Sequence, residues 1–402
     1  VTTFYSDLAK PFVKKFKFIK DFENGKIDFS SLKKIDYRLS RAKDLPQLPD
    51  DITEQIPNTY LLFMINGHYQ PDLSDIPESI SVTTNLENFK ANKELYLDHK
   101  SSNPFSALNA SMMNSGASVT IDSNVILEKP IQIIYAMMDI SDPLMNHPRF
   151  VFQIGHNSQA TIVEHYIGST DLPYFINPVS NVTIKNNSVL NHFRIEAEDP
   201  LASHIAASNY LLGADAQLNS VSISSGSKLF RHNINLNFNN KGGNASLNGL
   251  STIREDQHHD QNIIIDHSHN NCQSQQLFKY ILSEKSSGVF NGKVVVQEGT
   301  KQTEADQTNK NLLLSPEAIM NTNPQLEIYS EDVKCSHGST TGQIDAEALF
   351  YLQSRGISKT KAIELIINGF AKEIIEQINN EDVKTYINNR VTNWLESVLI
   401  DV

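Results

Sequence analysis

The chain has 402 residues, of which 39% are hydrophobic and 20% charged, with a formal net charge of -12. That balance excludes a disordered chain, and the acidity excludes nucleic-acid tracking, which needs clustered Lys and Arg. No apolar run reaches 18 residues, so no membrane-spanning helix is predicted; the two cysteines, Cys272 and Cys335, cannot build a disulfide framework and fit a reducing compartment, the cytoplasm.

The opening stretch, "VTTFYSDLAKPFVKKFKF", lacks the apolar core of a signal peptide. Residues 1–100 read as a helical and loop-rich region. Within it "DLPQLPDDITEQIP" carries three prolines and reads as a linker or exposed loop. No site is expected there.

Near Asn109 the pattern changes to short alternating runs bounded by Asn, Ser, Gly and Asp, such as "GASVTIDSNVIL" and "SNVTIKNNSVLNHFRIE". This is strand-and-turn patterning. Ala160, Val189, Ala216 and Ala245 follow polar turns at roughly 28-residue spacing, which points to a coiled repeat. Residues 101–340 are therefore predicted as one continuous parallel β-helix, with two strand layers per repeat. A β-sandwich is the competing arrangement, but the regular period and the scarcity of two-residue hairpin turns favour the β-helix.

After Gly342 the period changes again, and residues 341–402 are predicted as a C-terminal helical domain. "DAEALFYLQSRG" places Leu349, Phe350 and Leu352 on one side, with Asp345 as N-cap and Gly356 as stop. In "SKTKAIELIINGFAKEIIEQI", Ile363, Ile366, Ile367, Phe370, Ile374 and Ile378 keep an i, i+3, i+4 spacing. A third helix holds the single tryptophan, Trp394.

Three constellations invite a chemical reading. "DQHHDQNIIIDHSHNNC" contains His258, His259, Asp260, Asp266, His267, His269 and Cys272, ligand types that suit zinc and iron. Four-ligand closure is not evident from the spacing, although His267 and His269 share a strand face, so a polar outer face is favoured over a metal site. "EDVKCSHGST" reads as a loop with Cys335 two residues before His337, where a nucleophile, a metal ligand pair and simple packing compete. In "SSGVFNGKVVVQEG", Gly288 and Gly292 read as coil corners, and Lys293 opens a strand where a phosphate loop needs a helix.

The segments "HSHNNCQSQQLFKYILSEKSSGVFNGKVVV", "QTEADQTNKNLLLS" and "NPQLEIYSEDVKCSHGSTTGQIDAEALFYLQSRGIS" resemble the SufB/SufD family, its shorter SufD branch in particular, over about residues 255–375. Gln297, Glu298 and Gly299 depart from the family pattern, and no ligand is placed there. The resemblance implies a right-handed parallel β-helix between helical N- and C-terminal regions. It also implies a non-enzymatic scaffold subunit for iron–sulfur cluster assembly. Such a subunit pairs with SufB through the β-helix and binds the ATPase SufC through the C-terminal helices; ATP is bound by SufC and not by this chain. Self-pairing is the option in the absence of SufB.

On this resemblance a transient iron–sulfur cluster is shared with SufB. His337 supplies an imidazole, a SufB cysteine supplies thiolate, and Cys335 assists or accepts sulfur transiently. Resemblance and apolar stripe together place SufC on Ile363, Ile367, Phe370 and Ile374. Two rival readings stand beside this one. One is a free-standing β-helix enzyme acting on carbohydrate, for which no paired carboxylates stand out. The other is a SufB partner whose His337 ligates nothing.

Overall fold

The computed structural model describes residues 32, 34–41, 45–46, 54–77, 80–84 and 103–399. The expected N-terminal helical region lies largely outside the described residues. Its described part includes a strand, Tyr60–Ile65 (β1), that pairs in parallel with Ile131–Met138.

From there the chain winds between two sheets. Ser115–Ile121 (β2), Ile131–Met138 (β3), Pro148–Ile154 (β4), Gln159–Ser169 (β5), Val179–Ile184 (β6) and Val189–Ala197 (β7) begin the series. Ser203–Leu212 (β8), Gln217–Ser224 (β9), Leu229–Phe238 (β10), Asn244–Ile253 (β11), His258–His267 (β12) and Gln273–Leu282 (β13) continue it. Ser287–Val296 (β14), Thr303–Leu313 (β15), Ile319–Ile328 (β16) and Val333–Gln343 (β17) complete it. Odd-numbered strands build one sheet and even-numbered strands the other, each pairing in parallel with the strand one coil away. The fold is a parallel β-solenoid and not a sandwich.

One coil advances the register by 26 residues where Ser203 pairs with Leu229, and by 32 where Ser287 pairs with Ile319. The expected 28 is met where Val189 pairs with Gln217. The repeating small-residue column needs a correction. Ala160 stacks on Leu190, Leu218 on Ala245, and Ser274 on Ala305. Val189 and Ala216 stand one and two residues before that column, because coils differ in length at their turns.

The turns explain why the coils stack. Asn124, Asn157, Asn187, Asp215, Gly242, Asn271 and Gln302 all take positive φ at one corner. Asn tolerates that conformation better than other side chains. It also bonds along the axis, Asn157 Nδ2 to Asn124 Oδ1 at 3.0 Å and Asn187 Nδ2 to Asn157 Oδ1 at 3.2 Å. The inward columns supply the core, with Phe150, Phe152, Val182, Tyr210, Leu236 and Ile265 buried between the sheets.

Three helices follow, Ala346–Ser354 (α1), Lys359–Ile375 (α2) and Glu381–Leu399 (α3). Asp345 caps the first through Glu347 N at 2.9 Å, and Gly356 leaves it at φ +87. The outer face of the odd-numbered sheet presents Val163, Phe193, Ile195, Val221, Leu250 and Ile281, and α2 and α3 cover these with Ile367, Ile374, Ile387 and Leu395. Polar clips hold the layer, among them Lys279 Nζ to Phe370 O at 2.7 Å and Tyr386 to Glu54.

The buried residues also include ionisable groups, His259 and His267 inside the solenoid and His165 between it and α3 beside Tyr386. Burial pushes the pKa of His147 and His267 down to about 4, and that of His165 and His259 down to about 3. These rings are neutral when folded and protonate in the unfolded chain below pH 6.5. Stability is therefore lost as pH falls from 6.5 toward 4, by about 1.4 kcal/mol per histidine per pH unit. Glu196, pushed up by burial to about 7, and Glu198, also raised, act in the opposite direction between pH 4.5 and 7 but are outnumbered. Urea unfolding at pH 7, 6 and 5 is expected to show a falling midpoint; a flat or rising one would contradict this balance.

Candidate functional site at the open end of the solenoid

The two sheets end on β16 and β17, each paired on one side only. At the opposite end short antiparallel strands, His68–Tyr69 and Ser81–Thr84, close the sheets. The last coil thus leaves two strand edges unpaired and its inward side chains uncovered.

Cys335 and His337 belong to this coil. The segment expected to be a loop is strand β17, because β15 supplies its backbone partners: Ala305 pairs with Cys335 and Gln307 with His337. Alternation then decides direction. Lys334 reaches Glu304 at 3.2 Å, and Ser336 reaches Asp306, both on the outer face. Ser339 crosses the interior to Thr322 Oγ1 on β16 at 2.8 Å. Cys335, His337 and Ser339 therefore project inward from one face.

Their exposure differs. Cys335 is half-buried against Val294, Val296 and Ala305, and burial pushes its thiol pKa up. It is a protonated thiol at neutral pH and not an activated nucleophile. His337 is exposed. The same coil also exposes Ile328 and Tyr329, at and just after the end of β16.

The histidine-rich segment does not form a second site. His259 is buried, with Nε2 2.8 Å from Gly226 O. His267 is buried against Phe238 and bonds Ser274 Oγ at 2.8 Å. His269 lies in the turn after β12, at 2.8 Å from Phe238 O, so it shares no strand face with His267. Asp260 pairs with Arg231, Asp266 accepts from Gln297 Nε2 at 2.9 Å, His258 bonds Ser287 Oγ at 2.7 Å, and Cys272 is buried. The expected polar outer face is thus corrected: much of the segment points into the solenoid. Among the described residues no group of three or more His, Cys, Asp or Glu could hold a metal ion.

Gly288 and Gly292 are also not corners. Both lie inside β14 on its inward face, where a Cβ at 288 would crowd Met320 Sδ and one at 292 would overlap Gln307 Nε2. Lys293 is mid-strand and pairs with Glu327 at 2.5 Å.

The residues expected to dock SufC on α2 are largely packed within the chain. Ile363, Ile367 and Ile374 are buried against the solenoid and α3, and Phe370 is half-buried with Lys279 Nζ 4.3 Å above its ring. The stripe is wide because two surfaces cover it. Among the C-terminal helices the large exposed apolar groups are Phe350 (72%) and Tyr351 (57%) of α1, which line a shallow depression with Ala346, Glu347 and Ser354, and Leu365 (43%) of α2. Leu349 and Leu352 face inward, so Phe350, predicted on their side, points away. The spacing held this signal: four consecutive apolar residues cannot all lie on one helix stripe.

This geometry defines a class, a parallel β-solenoid whose thiol and imidazole sit on an uncapped terminal coil backed by packed C-terminal helices. The chain belongs to the SufBD core domain family of SUF-system FeS cluster assembly, which matches residues 137–370. It is 31% identical over 348 residues to the iron–sulfur cluster assembly protein SufD of Escherichia coli, covering 86% of this chain and 81% of that one. It is 33% identical over 369 residues to an iron–sulfur cluster assembly SufBD family protein of Synechocystis, covering 87% and 81%. Identity to SufD of Bacillus subtilis is 28% over 283 residues, covering 69% and 64%. No helix among the described residues is long and apolar enough to cross a membrane.

Proposed function

We propose that this chain is a non-enzymatic scaffold subunit for iron–sulfur cluster assembly that pairs with SufB through the open end of its solenoid and docks SufC through α1. The observation that carries this reading is the terminal coil. Two parallel edges, β16 and β17, present unpaired backbone groups together with His337 and Cys335. An uncovered edge of this length invites pairing with another chain. A partner seated there places its own residues beside His337, so a cluster is held between the two chains.

The nascent cluster is cargo. His337 offers an imidazole nitrogen, a borderline ligand that iron accepts alongside thiolate. Mixed His and Cys ligation raises the cluster potential relative to thiolate alone. The protonated, half-buried Cys335 takes a secondary part, as a further ligand or a transient sulfur acceptor.

The test is co-purification with SufB and SufC, followed by iron and sulfide analysis. His337→Ala is expected to lower both contents sharply while the melting curve stays within about 0.5 kcal/mol of the parent, since the side chain is exposed. Cys335→Ser should have the smaller effect. Wild-type iron and sulfide in the His337→Ala complex would remove the ligand role and leave the coil a pairing surface only.

A further inference from the structure

Directly behind His337, one coil deeper, lies Gln307. Both side chains come from inward positions of the same sheet, in register on neighbouring strands. Gln307 is fully buried. Its Nε2 donates to Gln276 Oε1 at 3.2 Å, again along the same column. The amide nitrogen occupies the space left by the missing side chain of Gly292, which a Cβ would fill. The nitrogen end is therefore committed to the interior. The carbonyl end, Oε1, is buried and has no hydrogen-bond partner.

A buried amide oxygen without a donor is unfavourable by about 1–3 kcal/mol. Toward the interior its own column offers Gln276, whose oxygen already accepts from Gln307 and whose Nε2, itself buried without a partner, does not reach that oxygen. Toward the open end, the next side chain in the column is His337, whose ring can donate an N–H. The ring is exposed and free to rotate toward that oxygen.

We propose that Gln307 is a positioning residue for His337: its Oε1 accepts the ring N–H, and the other ring nitrogen, left with its lone pair, is turned outward to iron. A ligating histidine generally gives its second N–H to an acceptor, which fixes the tautomer and orients the ring. Gln276 and Gly292 complete the arrangement, one by holding the amide nitrogen and the other by leaving room for it. This inference rests on the reading of His337 as an iron ligand, and it adds the group that selects which nitrogen ligates.

The experiment uses the full chain with [15N]histidine, His337→Ala serving to assign the His337 signals. In the parent chain one neutral tautomer is expected to dominate at His337. Gln307→Met, close in volume but without an acceptor, should return His337 to the tautomer mixture of a free imidazole. Gln307→Glu keeps an acceptor and should restore the single tautomer. In the complex with SufB and SufC, Gln307→Met should lower iron content about tenfold, and Gln307→Glu should retain it.

An unchanged tautomer ratio in Gln307→Met overturns the proposal. If that variant does not fold, the ratio in the parent chain decides, and a free-imidazole mixture there overturns it equally. A tautomer shift with full iron content in His337→Ala would instead sink the ligand reading while leaving the Gln307 contact standing.

Discussion

Replacing both Phe350 and Tyr351 by aspartate is expected to abolish capture of SufC in a pull-down, with SufB pairing and the melting curve unchanged. The two rings are the exposed aromatics of α1, on the side opposite the residues that pack this helix onto its neighbours. Aromatic anchors at the centre of an interface commonly contribute about 2 kcal/mol or more each. Losing two weakens binding by roughly a thousandfold. Folding should be spared, because neither ring is buried in the free chain. Substituting Phe370 is a poorer test, since its ring supports Lys279 and the contact between α2 and the solenoid. Retention of SufC by the Phe350→Asp/Tyr351→Asp chain at the parent level would move the docking surface off α1.

Arg194→Met is expected to lower stability by about 3–5 kcal/mol in urea unfolding. Arg194 and Glu164 face each other inside the solenoid on adjacent strands, both almost fully buried, with Nη1 to Oε2 at 2.9 Å. The guanidinium also lies 4.3 Å from the Tyr166 ring and donates to His204 Nε2 at 2.6 Å. Burial pushes the Glu164 carboxyl up, but Arg194, followed by His192 and Tyr166, outweighs that and holds it well below the usual carboxylate range. Removing the arginine leaves a buried carboxylate without its counter-charge. The double substitution Arg194→Met/Glu164→Leu should recover most of the loss, because replacing a whole buried pair by apolar groups is often neutral. A single variant that loses less than about 1 kcal/mol would show that the pair is not the anchor its burial implies.

The solenoid and the C-terminal helices were legible in the sequence because their signals are local. Alternating runs, asparagine-rich turns and the Asp345 and Gly356 caps each act within a few residues of themselves. The family was legible from the blocks ending in "CSHG" for the same reason, since they fall in one contiguous stretch. Cys335 and His337 could be placed on one face by their i, i+2 spacing, although not assigned to a strand.

What the tertiary structure decided is everything that depends on coils being different in length. Register settles that Val189 and Ala216 stand off the Ala160 row, although Ala216 is itself buried in the core, and that His259 and His267 point inward while His269 falls in a turn. It also brings Gln307 behind His337, thirty positions away along the chain, and opens Gly292 as the space beside it. The same limit governs α2. Its apolar spacing shows a buried face but not what covers it, and only the packed structure shows that the solenoid and α3 take Ile363, Ile367 and Ile374 while Phe350 and Tyr351 stay exposed. Periodicity reports which side chains must leave water; which surface receives them is set by the long-range pairing of strands, and no stretch of sequence contains that by itself.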